Sequence, residues 1–290
     1  QNLVKKVSEL KRINFFKGLG TYFDKVQRMR KLGGMISDEL LISKEKVELS
    51  ASICKTDLTS DLVGEFPELQ GIMGGYFSAQ QGFDKDICLS ITEQYLPIGL
   101  DSNVPKKPFS IALSMTDKID NLVGFFGIDE KPTSSKDPFA LRRVALGIIR
   151  IIIENKKDLK LNDLLNYSIG LYQEQNFTLS NEELKKDLSN FLKDRFRYYL
   201  KEKDIRFDII EASISNFSTN KLFSSFEKAR CVNKIINNQI GIDITSSYKR
   251  ASNILQSEME NKEIEITNST DPGIFKSDYE KNLFKKITDI

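Results

Sequence analysis

Apolar residues recur at three- and four-residue intervals along most of this chain. Leu184, Leu188, Phe191, Leu192, Phe196 and Tyr199 place one stripe on a helix over residues 181–201, and a similar pattern predicts a helix over 222–238. Nearer the start, Leu3, Val7, Leu10 and Ile13 trace one stripe, and Leu40, Val47, Leu49 and Ile53 contribute others of similar spacing. No strand alternation competes with these patterns. Six of the seven prolines lie from Pro67 to Pro138 and the seventh is Pro272, so residues 139–271 are free of proline and read as helices. Polar joints at 216–219, 241–243 and 268–273 separate them, the last being the most loop-like in composition. There is no tandem repeat and no low-complexity tract. The expectation is an all-α fold in two parts.

The best-specified helix start is Asp137-Pro138-Phe139-Ala140-Leu141-Arg142-Arg143, where Asp137 suits an N-cap and Pro138 the first helical position. At about 100° per residue, Arg143 and Arg150 fall nearly on one line with Arg142 beside it, while Val144, Ile148, Ile151 and Ile152 turn inward. One face of this helix is basic and the other is core.

Composition narrows the chemistry. At 290 residues the chain exceeds the roughly 100–200 of a single domain, which favours two compact units. Hydrophobic residues make up 40% and charged residues 29%, and no apolar run approaches the roughly 20 residues of a membrane span. The longest such run, residues 144–153, is interrupted by Gly147 and Arg150 and reads as a buried helix. Histidine is absent, which removes Ser-His-Asp and Cys-His catalysis, imidazole bases and His-containing zinc sites. Lys and Arg number 43 against 41 Asp and Glu, so any RNA-binding surface must come from local arrangement. Cys54, Cys88 and Cys231 lie too far apart to read as a disulfide framework or a metal cluster, which fits a reducing cytoplasm. The chain opens on Gln1 without a charged-then-apolar leader and reads as a piece of a longer cytoplasmic protein.

Longer words of the sequence point to a family. Lys55-Thr56-Asp57-Leu58, the run VGEFPELQGIMG at 63–74, Tyr95-Leu96-Pro97 and Asp117-Lys118-Ile119-Asp120-Asn121-Leu122-Val123-Gly124 occur in order. Lys131-Pro132-Thr133, the 137–143 stretch and Lys249-Arg250-Ala251-Ser252-Asn253-Ile254-Leu255 follow. Together they resemble the beta subunits of bacterial glycine–tRNA ligases, most densely from Lys55 to Ile153 and more thinly from Asn155 to Phe217. The resemblance implies an HD-like helical domain over 1–165, a helical linker over 166–190, and part of an anticodon-binding helical bundle over 191–290. It also implies an alpha-subunit partner in an α2β2 heterotetramer, which holds glycine, ATP and Mg2+, and a glycine-specific tRNA gripped mainly by the beta subunit. No catalytic residue and no cofactor is expected in this chain. Candidate tRNA contacts are Arg142, Arg143, Arg150, Lys249 and Arg250, whose guanidinium and ammonium groups suit phosphate oxygens.

The first domain also looks like the HD fold of metal phosphohydrolases, with Asp24, Thr56, Asp57 and Asp117 at its ligand positions. Thr56 stands where the paired His belongs, so no bound metal is expected. Other readings stand beside these. Asp57 and Asp117 can cap helices or pair with Lys55, Lys118 or an arginine, and the 142–150 arginines can answer carboxylates such as Glu154. Lys249 and Arg250 can simply solubilise an amphipathic helix. Glu65 and Glu68 flank Pro67 in a structural turn, and Gly71, Gly74 and Gly75 lack the pattern of a phosphate loop. A metal phosphohydrolase and a helical interaction scaffold are the alternative functions.

Overall fold

The computed structural model describes residues 2–172, 177–261 and 270–289. Their elements, in order, are α1 (Leu3–Lys6), a hairpin of β1 (Asn14–Phe16) and β2 (Gly20–Thr21), α2 (Tyr22–Leu40), α3 (Lys44–Ile53), α4 (Asp61–Glu65), α5 (Ile72–Gln80) and α6 (Lys85–Glu93). There follow α7 (Pro108–Gly127), α8 (Leu141–Glu154), α9 (Leu161–Gly170), α10 (Asn181–Glu202), α11 (Phe207–Ser215), α12 (Leu222–Ile235), α13 (Gln239–Asn261) and α14 (Asp278–Thr288). The all-α expectation holds. The antiparallel hairpin, Asn14 opposite Thr21, is the one departure among the described residues.

Two compact units divide the chain, Gln1–Asn233 and Lys234–Ile290. In the first, α7 is central, with 17 of its 20 residues buried. Helices α2, α3, α6, α8, α9 and α10 pack around it. The 166–190 and 191–233 segments, assigned from sequence to a linker and a second domain, join this unit. The Phe191 ring lies 5.0 Å from that of Phe126, and Lys131 bonds Asp187 at 2.6 Å.

Local chemistry explains the boundaries. Thr21 and Asp24 form a reciprocal cap on α2, and Ser180 and Glu183 form one on α10, each satisfying backbone N–H groups that a helix start leaves open. The helix over 181–201 forms as its periodicity predicts, with Leu184, Leu188, Leu192, Phe196 and Tyr199 buried. The stripe read through Leu40, Val47 and Ile53 belongs to two helices, because Leu41 adopts a left-handed conformation (φ 56°) that ends α2.

Helix α8 begins at Leu141, three residues beyond the expected start. Asp137 still caps it, accepting from the backbone N–H of Leu141 at 2.8 Å and Arg142 at 3.0 Å, but does so from a preceding turn. The 216–219 joint falls between helices, whereas 241–243 lies inside α13. The break comes before Gln239 instead, next to Asn238, whose side chain accepts from the Gly241 N–H at 2.9 Å. Residues 262–269, which include the start of the loop read at 268–273, lie outside the described residues. In the second unit, Ile240, Ile244, Tyr248, Ile254 and Leu255 of α13 are exposed. No helix among the described residues is long and apolar enough to cross a membrane.

Candidate functional site

Burying a charge is costly unless an opposite charge and hydrogen bonds accompany it. Helix α7 buries three charges, Asp117, Lys118 and Asp120, and its neighbours supply partners. Lys25 and Arg28 lie three apart on α2 and so share a face, which meets the Asp120 side of α7. Arg28 grips Asp120 through Nε–Oδ1 at 2.8 Å and Nη2–Oδ2 at 3.3 Å, and donates to the Leu19 carbonyl. The Lys25 ammonium reaches Asp120 Oδ2 at 3.0 Å, Asp117 Oδ1 at 3.3 Å and Asn121 Oδ1 at 2.7 Å. Lys55, just past α3, lies 2.8 Å from the same Asp117 oxygen and donates to the Tyr95 hydroxyl at 2.8 Å. The Tyr172 ring covers the Arg28 guanidinium at 4.0 Å, and its hydroxyl donates to the Asp120 carbonyl.

The electrostatics follow from these contacts. Burial alone would raise the pKa of Asp117, but Lys25 and Lys55 hold it well below the usual carboxylate range. Asp120 is likewise lowered against burial by Lys25 and Arg28. Burial lowers Lys118 to about 8, with Asp117 opposing the shift and Lys55 adding to it.

The four positions matched to a metal site are engaged separately. Asp24 serves the α2 cap, and Thr56 Oγ1 donates to the Ile53 carbonyl at 2.6 Å. Asp57 Oδ2 accepts from the N–H groups of Gly71 at 2.6 Å and Gly74 at 3.2 Å, so it caps α5. Its Oδ1 is buried without a hydrogen-bond partner among the described residues, and burial raises the carboxyl's pKa despite those amides. Asp117 is taken by two ammoniums. Of the two readings held for Asp57 and Asp117, capping and pairing describe this geometry. The donors do not fit an ion: they do not converge, and among the described residues no group of three or more His, Cys, Asp or Glu side chains is placed to hold one.

The arginines of α8 divide sharply. Arg150 donates Nε to Glu154 at 2.7 Å and its two terminal nitrogens to the Gly99 and Ser102 carbonyls, each at 2.8 Å, so it fastens the 99–102 loop. Arg142 donates to the Thr133 carbonyl at 2.5 Å and lies 4.0 Å from Asp137. Arg143 is exposed, and no hydrogen bond or ion pair engages it among the described residues. Lys249 and Arg250 are exposed on α13.

Arg143 stands at the wall of a cavity of about 410 Å³, whose lining also includes Tyr95, Pro97, Asp117, Lys118 and Asn121. Lys25, Asp120 and Tyr95 were absent from the sequence-derived site residues, and Lys55 and Lys118 stood there only as partners of Asp57 and Asp117. The available signal was the charge density of Asp117-Lys118-Ile119-Asp120 inside an otherwise apolar helix, which demands buried partners.

The family described as glycyl-tRNA synthetase beta subunit matches residues 1–215. Among similar proteins, the glycine–tRNA ligase beta subunit of Rickettsia canadensis (strain McKiel) is 38% identical over 285 residues, covering 98% of this chain and 40% of the relative. That of Rhodospirillum centenum (strain ATCC 51521 / SW) is 37% identical over 249 residues, covering 85% and 34%. That of Cereibacter sphaeroides (strain ATCC 17029 / ATH 2.4.9) is 34% identical over 278 residues, covering 96% and 40%. The chain thus spans about 40% of the length of the first of these relatives. On this match, the chain belongs to the glycyl-tRNA synthetase beta subunit family.

Proposed function

We propose that this chain is a tRNA-holding part of a cytoplasmic glycine–tRNA ligase, in which it positions glycine-specific tRNA for a partner alpha subunit. The observation that carries the reading is the family match over residues 1–215. Arg143, unpaired among the described residues and beside the cavity, gives it a physical anchor, because such a guanidinium can give its full donor fork to phosphate oxygens. Lys249 and Arg250 offer a second, separate contact. Glycine activation with ATP and Mg2+ belongs in this scheme to the alpha subunit of an α2β2 assembly. The first unit is then an HD-like domain whose ligand positions have passed to helix capping and lysine pairing, which argues against a metal phosphohydrolase.

A titration of the intact ligase with glycine-specific tRNA tests the proposal. Binding should weaken with salt, and Arg143→Ala combined with Lys249→Ala and Arg250→Ala should lower the slope of log K against log[salt] by up to roughly one per lost phosphate contact. Affinity and slope unchanged by the triple variant would remove these residues from the interface.

A further inference from the structure

The cavity beside Arg143 has its own chemistry. Lys118 lines it and is 5% exposed, yet its ammonium donates only to the Tyr95 carbonyl, at 3.0 Å. An ammonium carries three donors, so two are unused among the described residues. No carboxylate there lies within ion-pair distance of Lys118. Its neighbour Asp117 already answers Lys25 and Lys55. Around this centre the buried cations Lys25, Arg28, Lys55 and Lys118 outnumber the buried carboxylates Asp57, Asp117 and Asp120 by one, and Asp117 and Asp120 are committed to Lys25, Arg28 and Lys55. Asp117 compensates the buried Lys118 charge only in part and without direct contact, so an anion from solution would still lower the cost of its burial.

At the same cavity α8 supplies the second cation, Arg143, and the space for the first. A Cβ at Gly147 would stand 2.8 Å from Lys118 Cε, so a side chain there would displace the lysine stem. The remaining wall offers the apolar Pro67, Pro97, Ile98 and Val144, with Gln70, Asn121 and the carboxylates Glu68 and Asp117 beside them. At about 410 Å³ the cavity falls within the roughly 300–1,000 Å³ of small-molecule sites. Spare donors on an ammonium and a guanidinium call for an anion rich in acceptor oxygens, and the apolar wall calls for a flat, weakly polar body attached to it.

We propose that this cavity binds a phosphate ester of nucleotide size, its phosphate between Lys118 and Arg143 and its nucleoside body against Pro67, Pro97, Ile98 and Val144. The site rests on the first unit alone and goes beyond the tRNA reading. Its occupant is either a free nucleotide or one nucleotide of a bound RNA.

Calorimetric titration of the intact protein with adenosine 5′-monophosphate, and separately with adenosine and inorganic phosphate, tests the site. Saturable binding of the monophosphate is expected, with adenosine much weaker. Lys118→Met and Arg143→Ala should each weaken it by about 10-fold or more, the scale of a lost charged hydrogen bond, while Lys31→Ala on α2, outside the lining, should not. Arg143 has no partner to lose among the described residues, so its variant remains informative even where Lys118→Met fails to fold. Displacement of the monophosphate by tRNA identifies an RNA nucleotide as the occupant, and indifference to tRNA identifies a free nucleotide. Absence of saturable monophosphate binding, or equal affinity in wild type and Arg143→Ala, overturns the site. The tRNA reading would survive that result through Lys249 and Arg250.

Discussion

The ammonium of Lys55 and a carboxylate oxygen of Asp117 meet at 2.8 Å in the interior, with the Tyr95 ring 4.1 Å from the same ammonium. This pair ties the end of α3 to the middle of α7, and Lys25 adds α2 to the same oxygen at 3.3 Å.

Because the pair is buried, removing one partner leaves a charge with inadequate compensation. Lys55→Met should destabilise the protein by about 3–5 kcal/mol, the scale for breaking a buried pair, measured by urea unfolding. The double variant Lys55→Met, Asp117→Asn should recover part of that loss, since the stranded charge is gone. Additive losses would mean that the two groups do not interact energetically.

Arg150 and Arg143 lie on one helix face and should behave oppositely. Arg150→Ala strips the 99–102 loop of two carbonyl partners and should cost about 2–3 kcal/mol, with tRNA affinity falling only as far as stability does. Arg143→Ala should change stability by less than about 0.5 kcal/mol while weakening tRNA binding. Thermal melts and salt-dependent binding on the same samples separate the two outcomes.

The pH dependence follows from the buried carboxylates. A carboxylate with a lowered pKa in the folded state contributes stability above its ordinary value, near 3.8, and loses it as pH falls through the folded value. Asp117 and Asp120 behave so below about pH 4, while Asp57, raised by burial, acts the opposite way at higher pH, where protonation on the way down to 3.8 relieves its burial cost. The urea midpoint should therefore fall as pH drops below about 4. Lys118 acts at the alkaline end. Its pKa drops from 10.5 to about 8, so the cost of its buried charge is present below pH 8 and relieved as pH rises between these values. Lys25, Arg28, Lys55, Asp57, Asp117 and Asp120 of the cluster, with Glu68 and Arg143 at the cavity wall, are the other charges around it. Stability that rises above pH 8 in wild type and not in Lys118→Met is the expected signature.

The glycines near α5 are packing residues. A Cβ at Gly75 would stand 2.8 Å from the Cys88 carbonyl, a backbone atom of α6 that cannot move aside alone. Gly71 has a φ of 84° with the Tyr95 ring 3.1 Å from any added Cβ. Gly75→Ala should cost about 1–3 kcal/mol by forcing α5 from α6, and calorimetric melts would register it.

The all-α fold was legible because α8, α10 and α12 are long enough for a 3.6-residue period to register. The hairpin was not, since strands of three and two residues carry no period. The α8 boundary was misplaced because Asp137 caps from a turn held partly by Phe139, whose ring stacks on Phe125 at 4.1 Å. At the candidate site, the reading fixed on Asp24 when its neighbour Lys25 is the residue turned inward. A step of about 100° along a helix separates a capping side chain from a core one, and the sequence marks that step only through the carboxylates on α7 that await a cation.

The most direct test of the central claim is the affinity of the intact ligase, with its partner subunit, for glycine-specific tRNA as ionic strength is varied. The account predicts tight binding at low salt, weakening steeply with added salt and reduced by Arg143→Ala, Lys249→Ala and Arg250→Ala together. Absence of binding at low ionic strength in a folded assembly would contradict it.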